Sequence, residues 1–371
     1  MRRCFVVANA MGRKETLSKL IPYLAEHVAG CGTDGENGSD GNPGQSSSPT
    51  QPSSSGESSL SPSNIGDGVT SDEDDEILLI LAEQLGQMVL AGLIPARRST
   101  SILPILERLA GVEETVVRDK AVMSINAIIP LLAQVGGDDE QIDKNSTPGD
   151  VFAEEAEART ACMKNAPVLL LAMVRRLSGA EWFTSRVSAC GILPEVYRFF
   201  QVQGIRKSGG SGKSGMDRNE DTETKRMLRM HHKELCEDET PMVRRGAAKN
   251  LGRFVEAVSN LPSGILPATP NNWGDDGPTP LASSEPEVSS TIETHAVVRT
   301  TVAASPRLRD SILVEEIVPT YMKLAKDEQD SVRLLAVVNS GSIGLALGLD
   351  GVLSEQWVLP IVKAGSVDLS W

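Results

Sequence analysis

Few of the residue types in this chain that can do chemistry are spaced to do it. The glycine-rich stretch GGSGKSG (209 to 215) invites a phosphate-loop reading, but that pattern needs glycine five positions before Gly212, and Lys207 stands there. It reads as a linker. His231 and His232 are adjacent, so on a helix they point apart and cannot form the i, i+4 pair of a metal site, and HExxH is absent. The five cysteines (Cys4, Cys31, Cys162, Cys190, Cys236) are odd in number and form no CxxC pair, which argues against a zinc ribbon or a disulfide framework and for a reducing compartment. No Ser/His/Asp or Cys/His arrangement emerges, so no catalytic, cofactor-binding or metal-ligating residue is assigned. What does recur is arginine beside small residues, as in TPMVRRGAA (240 to 248).

Composition decides what such arginines are for. Against 36 Lys and Arg stand 50 Asp and Glu, a net charge of −14, which disfavours a role driven by neutralising nucleic-acid phosphates. Aromatic residues are only 4%, and Leu, Ala and Val dominate the apolar content, which favours helix packed on helix. The basic-then-apolar start MRRCFVVANAMG is too short and is broken by Asn9, so it does not read as a signal peptide, and no apolar run approaches the length of a membrane span.

Four arginines open segments of the same design: TVVRDKAV (115 to 122), FTSRVSAC (183 to 190), PMVRRGAA (241 to 248) and DSVRLLAV (330 to 337). Each has a polar turn, an arginine (Arg118, Arg186, Arg244, Arg333) and a small residue three positions on (Ala121, Ala189, Ala247, Ala336). Thr240 and Pro241 read as an N-cap and first-turn proline. Behind them Val243, Ala247, Leu251, Phe254, Val255 and Val258 make one apolar stripe. The arginines lie 68, 58 and 89 residues apart, but each interval holds a low-complexity stretch, and removing it leaves about 39 residues, the size of a two-helix repeat. A preceding helix fits each unit: TLSKLIPYLAEHV, SILPILERLAG, APVLLLAMVRRLSG, MLRMHHKELC and VEEIVPTYMKLAK. Pro22, Pro104 and Pro319 sit at similar places in three of these and are expected to bend them.

The resulting organisation is a partial repeat and first helix (1–29), a Gly/Ser/Pro loop (30–71), repeats (72–135), an acidic loop (136–158), a repeat (159–203), a linker (204–224), a repeat (225–260), a loop (261–295), and a repeat with the start of another (296–371). The first and last of these loops read as disordered because they carry too little apolar surface to offset ordering, and the acidic loop and the flexible linker as milder breaks. Three follow a second helix of a repeat; the first interrupts a repeat between its two helices.

EETVVRDKAV (113 to 122), EWFTSRVSACG (181 to 191), ETPMVRRGAA (239 to 248), DEQDSVRLLAV (327 to 337) and DEILLILAEQLG (75 to 86) closely resemble successive HEAT repeats from the N-terminal half of the scaffolding A subunits of protein phosphatase 2A. The resemblance implies an all-α, right-handed α-α superhelix of the armadillo type without catalytic chemistry. It implies that regulatory B-type subunits dock on the turns within the N-terminal repeats and the catalytic subunit on the last few. The sequence stops at DLSW, where the next second helix of that family starts, so the repeats for the catalytic subunit are expected only in a longer chain. By the same resemblance Glu113, Glu114, Trp182, Phe183, Glu239, Pro241, Met242, Glu328, Gln329, Ser370 and Trp371 occupy the docking ridge. Tryptophan and methionine would be apolar anchors there and the acids a steering rim.

Arg118, Arg186, Arg244, Arg245 and Arg333 are assigned to repeat stacking, each guanidinium forking onto a carboxylate or free carbonyl of a neighbouring repeat. Asp238 and Asp327, each six residues before an arginine, are the carboxylates in position; Val112 and Ala180 fill that place in the other two units, so the ladder is not strict. The expected role is a cytoplasmic, and also nuclear, phosphatase scaffold that contacts neither nucleic acid nor membrane. A second reading is another HEAT-type adaptor such as a nuclear-transport receptor, and an enzyme is a third.

Overall fold

The computed structural model describes residues 4–30, 70–135, 150–209, 223–261, 311–348 and 353–368. Every regular element among them is helical. They run as α1 (Cys4–Glu15), α2 (Ile21–Gly30), α3 (Thr70–Leu90), α4 (Leu103–Leu109), α5 (Thr115–Gln134), α6 (Asp150–Ser178), α7 (Phe183–Gly209), α8 (Glu223–Cys236), α9 (Pro241–Val258), α10 (Val318–Leu324), α11 (Asp330–Val338), α12 (Ser340–Ala346) and α13 (Leu359–Gly365). Five two-helix units follow one another along the chain. Their first helices are α2, α4, α6, α8 and α10, and their second helices are α3, α5, α7, α9 and α11 with α12. The second helices stack in sequence, α3 on α5, α5 on α7, α7 on α9 and α9 on α11 and α12, which is the layout of a HEAT-repeat solenoid.

The stripe read from the sequence of α9 is the face it buries: Val243, Ala247, Leu251, Phe254, Val255 and Val258 are all core residues. Pro241 opens that helix at its first turn, where a missing N–H costs nothing. Thr240 has the extended backbone of an N-cap, yet its hydroxyl makes no cap bond; it accepts instead from Arg186 Nη2 at 3.1 Å.

Prolines act on the first helices in a particular way. A π-helical turn spans Thr16–Leu20 just before Pro22, another spans Leu313–Ile317 before Pro319, and a third spans Ser354–Val358 before Pro360. A proline ring collides with the carbonyl four residues back and offers no N–H, and widening the preceding turn relieves both problems without ending the helix. Pro104 instead follows a 3-10 turn, Ala96–Ser101.

Helix boundaries differ from the sequence expectation at the loops. Helix α6 begins at Asp150, so residues 150–158 of the acidic loop are helical. The run AEEAEAR is rich in good helix formers, and Arg98 holds Glu154 at 2.6 Å while Arg97 holds Glu155. Helix α7 likewise continues to Gly209, inside the expected linker. The remainder of the four loops lies outside the described residues, as do 296–310 at the start of the expected last repeat and residues 1–3, 349–352 and 369–371.

Candidate functional site: the turn ridge

The turns that join first to second helices form one edge of the stack, and the recurrent arginines fix their shape. Arg186 Nη1 donates to the carbonyls of Ala180 (2.9 Å) and Glu181 (2.6 Å) in its own turn. Its Nε and Nη2 fork onto Asp238 of the next repeat at 2.8 and 3.1 Å. Arg244 repeats the arrangement: its own carbonyls are Asp238 (3.0 Å) and Glu239 (3.1 Å), and its fork takes Asp327 at 2.7 and 3.1 Å. Arg333 does so again with the carbonyls of Asp327 and Glu328 and with Asp368 at 2.7 and 3.3 Å. Arg245 sits half-buried beside Arg244.

Each aspartate works in two repeats. Asp238 Oδ1 accepts the backbone N–H of Thr240 at 2.8 Å, which closes its own turn, and Asp327 does the same for Gln329 at 2.9 Å. The bond from each arginine's Nη1 to the backbone carbonyl of the aspartate six residues before it accounts for that spacing. Burial pushes both carboxyls up, but the arginine fork and the turn N–H outweigh it and hold each below its ordinary pKa. The arginines Arg186, Arg244 and Arg333 are raised, each first by its hydrogen-bonded aspartate.

Arg118 departs from this pattern. Its Nη1 takes the carbonyls of Val112 (3.1 Å) and Glu113, and its Nη2 turns back to Thr115 Oγ1 at 3.1 Å. Ala180 stands where the next repeat would supply aspartate. Burial lowers this guanidinium's pKa, against the rise at the other three.

Held this way, the ridge presents the residues assigned to it. Trp182 is 69% exposed, Met242 49% and Phe183 37%, unusual values for such side chains and far above those of the core. Glu113, Glu114, Glu239, Pro241, Glu328 and Gln329 are exposed on the same turns. Glu328 also reaches Arg244 Nη2 at 3.1 Å. Ser370 and Trp371 lie outside the described residues. Among the described residues no group of three or more His, Cys, Asp or Glu is placed to hold a metal ion, and no helix is long and apolar enough to cross a membrane. The four described cysteines are free and buried, and burial raises the Cys162 thiol to about 11.

Sequence reasoning missed Asp368, although DLSW repeats the leading aspartate of DETP and DEQD. It also missed a second set of contacts along the second helices. Gly252 of α9 lies against Asn339, whose amide accepts the Gly252 N–H at 2.9 Å and donates to the carbonyls of Ala248 (2.9 Å) and Leu335 (2.6 Å). Asn339 is where the last second helix breaks into α11 and α12. Gly86 and Ser124 meet as closely, and Ser124 Oγ donates to Ala82 O at 2.6 Å. On the first-helix side, buried Arg229 of α8 bonds Glu316 at 2.7 and 3.3 Å and Tyr197 Oη at 3.1 Å.

Several curated proteins match this chain in sequence. The beta isoform of the 65 kDa regulatory A subunit of Ser/Thr protein phosphatase 2A from Rattus norvegicus is 37% identical over 187 residues, 50% of this chain and 23% of its own. The chain is related to the phosphatase 2A regulatory A subunits. The corresponding regulatory A subunit from Schizosaccharomyces pombe is 28% identical over 300 residues, 81% of this chain and 34% of its own. A protein named phosphatase 2A scaffold subunit from Dictyostelium discoideum is 34% identical over 205 residues, 54% of this chain and 26% of its own. The chain therefore spans about a quarter to a third of the length of the curated relatives it matches. No family model matches it.

Proposed function

We propose that this chain is a non-catalytic scaffold segment that presents its turn ridge to a B-type regulatory subunit of a phosphatase 2A-type Ser/Thr phosphatase. The carrying observation is the exposure of Trp182, Phe183 and Met242 on turns whose backbones the Arg186 and Arg244 forks hold rigid. Such anchors bind well because ordering them on association costs little further freedom. The exposed glutamates around them set the charge of the approaching surface, favouring a basic patch. Docking of the catalytic subunit belongs to this role only when later repeats are joined to these. The same role places the chain in the cytoplasm.

The test is binding of a purified B-type regulatory subunit to the immobilised full chain. Saturable binding is expected, weakened about tenfold or more by Met242→Ala or Trp182→Ala. Absence of binding by the full chain, and again after deletion of residues 31–69, overturns the reading.

A further inference from the structure

The junction between the second and third repeats is built unlike those after it. Away from the ridge it is tied: the N-terminal part of α6 packs on the 3-10 turn Ala96–Ser101, with Arg97 on Glu155 and Arg98 on Glu154 at 2.6 Å. Between the second helices, Asn126 Nδ2 of α5 donates to Gly191 O of α7 at 3.0 Å. At the ridge the tie is missing. The side-chain hydrogen bonds of Arg118 stay within its own repeat, whereas Arg186, Arg244 and Arg333 each reach an aspartate of the next. On that side a cavity of about 650 Å³ opens, lined in part by Leu109, Gly111 and Val112 of one repeat and Leu177, Ala180 and Ser185 of the other. Across it Arg176 of α6 meets Glu107 of α4 in bonds of 2.6 and 2.7 Å, with 58% of the arginine side chain exposed.

We propose that this junction is a hinge, pivoting where α6 meets the 3-10 turn and latched on the ridge side by the Arg176–Glu107 pair, so that the cavity opens and closes as the latch does. The cavity supplies the room for rotation that a close-packed interface denies. The latch sets how far it goes. An exposed ion pair is weakened by salt, while the Arg186–Asp238 and Arg244–Asp327 forks, with all four side chains no more than 13% exposed, are screened much less. Rotation here moves the turn that carries Glu113 and Glu114 against the turn that carries Trp182 and Phe183. One ridge can then follow partner surfaces of different curvature. The hinge itself does not rest on the docking reading and can be tested without any regulatory subunit.

The test is double electron–electron resonance on the full chain carrying Cys31→Ser and nitroxide labels at exposed turn positions; the four described native cysteines are buried. Glu113→Cys with Glu239→Cys spans the hinge and one forked junction, whereas Glu181→Cys with Gln329→Cys spans two forked junctions. In dilute buffer the first pair should give the broader distance distribution. Salt at about 1 M should broaden it further, with a tail to longer distances, and leave the second pair unchanged. Arg176→Ala should reproduce the high-salt breadth in dilute buffer and lose the salt response. Should that variant melt early by circular dichroism, Glu107→Gln, which keeps the shape and removes the charge, is read in its place. Equal breadths for the two pairs, equal responses to salt, or an undiminished salt response in the folded latch variant overturns the proposal. Those outcomes leave regulatory-subunit binding through Trp182 and Met242 standing, whereas loss of that binding with the salt response intact removes the docking reading alone.

Discussion

The junction between the fourth and fifth repeats and the junction between the second and third solve the same packing problem with different amounts of redundancy. The later one has the Arg244–Asp327 fork, with side chains only 11% and 9% exposed, the Gly252–Asn339 contact with both ends of the amide satisfied, and the buried Arg229 on Glu316. The earlier one has no fork on its ridge. Asn126 Nδ2 donates to Gly191 O at 3.0 Å, but its buried Oδ1 has no partner, and Arg176, 58% exposed, pairs with Glu107. A repeat array can thus tie the ridge at one interface and leave it untied at another without altering its helices. The difference lies in one turn position, aspartate or alanine.

The sharpest way to break the comparison is Arg244→Ala. It strands Asp327 in a nearly buried place, and the expected loss is about 3 kcal/mol in urea unfolding, the low end for a broken buried pair. Arg118→Ala, with no aspartate fork to break, should cost less than half as much; equal losses would mean that the two junctions do not differ in this way.

Acid should next expose the fourth repeat. His232 is buried and stacked on Phe254 with ring centroids 3.9 Å apart, and desolvation lowers its pKa to about 3. The unfolded chain takes up that proton near pH 6.5 while the native state does not, so stability is full above that pH and falls as pH drops toward 3, by about 1.4 kcal/mol per unit. Asp238 and Asp327, depressed by their forks, add a loss only below about pH 4, as they protonate. His232→Leu should flatten the denaturation midpoint between pH 6.5 and 4.5, and an unchanged slope would assign the effect elsewhere.

Gly252→Ala is expected to cost about 1–2 kcal/mol, because its Cβ overlaps Asn339 Oδ1 and comes within 2.8 Å of Ser342 Oγ. That exceeds the helix-propensity gain of the substitution. Arg176→Ala, at the exposed pair of the earlier junction, should change stability by only about 0.5 kcal/mol. Met242→Ala should be smaller still in stability, since the side chain is half in solvent, while weakening partner binding. Equal effects of Met242→Ala and Arg244→Ala on both properties would dissolve the separation of ridge from ladder.

Much of this was readable in the residues. The repeat grammar of polar turn, arginine and small residue marks where second helices start, because each feature answers a local need, and local needs leave local patterns. The spacing of Asp238 and Asp327 from an arginine is legible for the same reason. The arginine that each aspartate engages belongs to the preceding repeat, 52 and 83 residues away, and that pairing is not a local pattern. Asn339 meeting Gly252 across 87 residues left no signal at all. Nor did the helical start at Asp150, since acidic, alanine-containing stretches serve helices and solvated loops alike until a partner such as Arg98 selects one. Thr240 showed its backbone role in the sequence but not the arginine that claims its hydroxyl.

The double use of each ridge aspartate gives the array a direction in time. Arg186, Arg244 and Arg333 each wait for an acid that the ribosome adds later. At about 5–20 residues per second, Asp238 follows Arg186 by 52 residues, a wait of roughly 3–10 s. Asp327 follows Arg244 by 83, roughly 4–17 s. A nascent repeat is thus finished by its successor, so the chain closes from the N-terminus forward like a ratchet whose last tooth is always open.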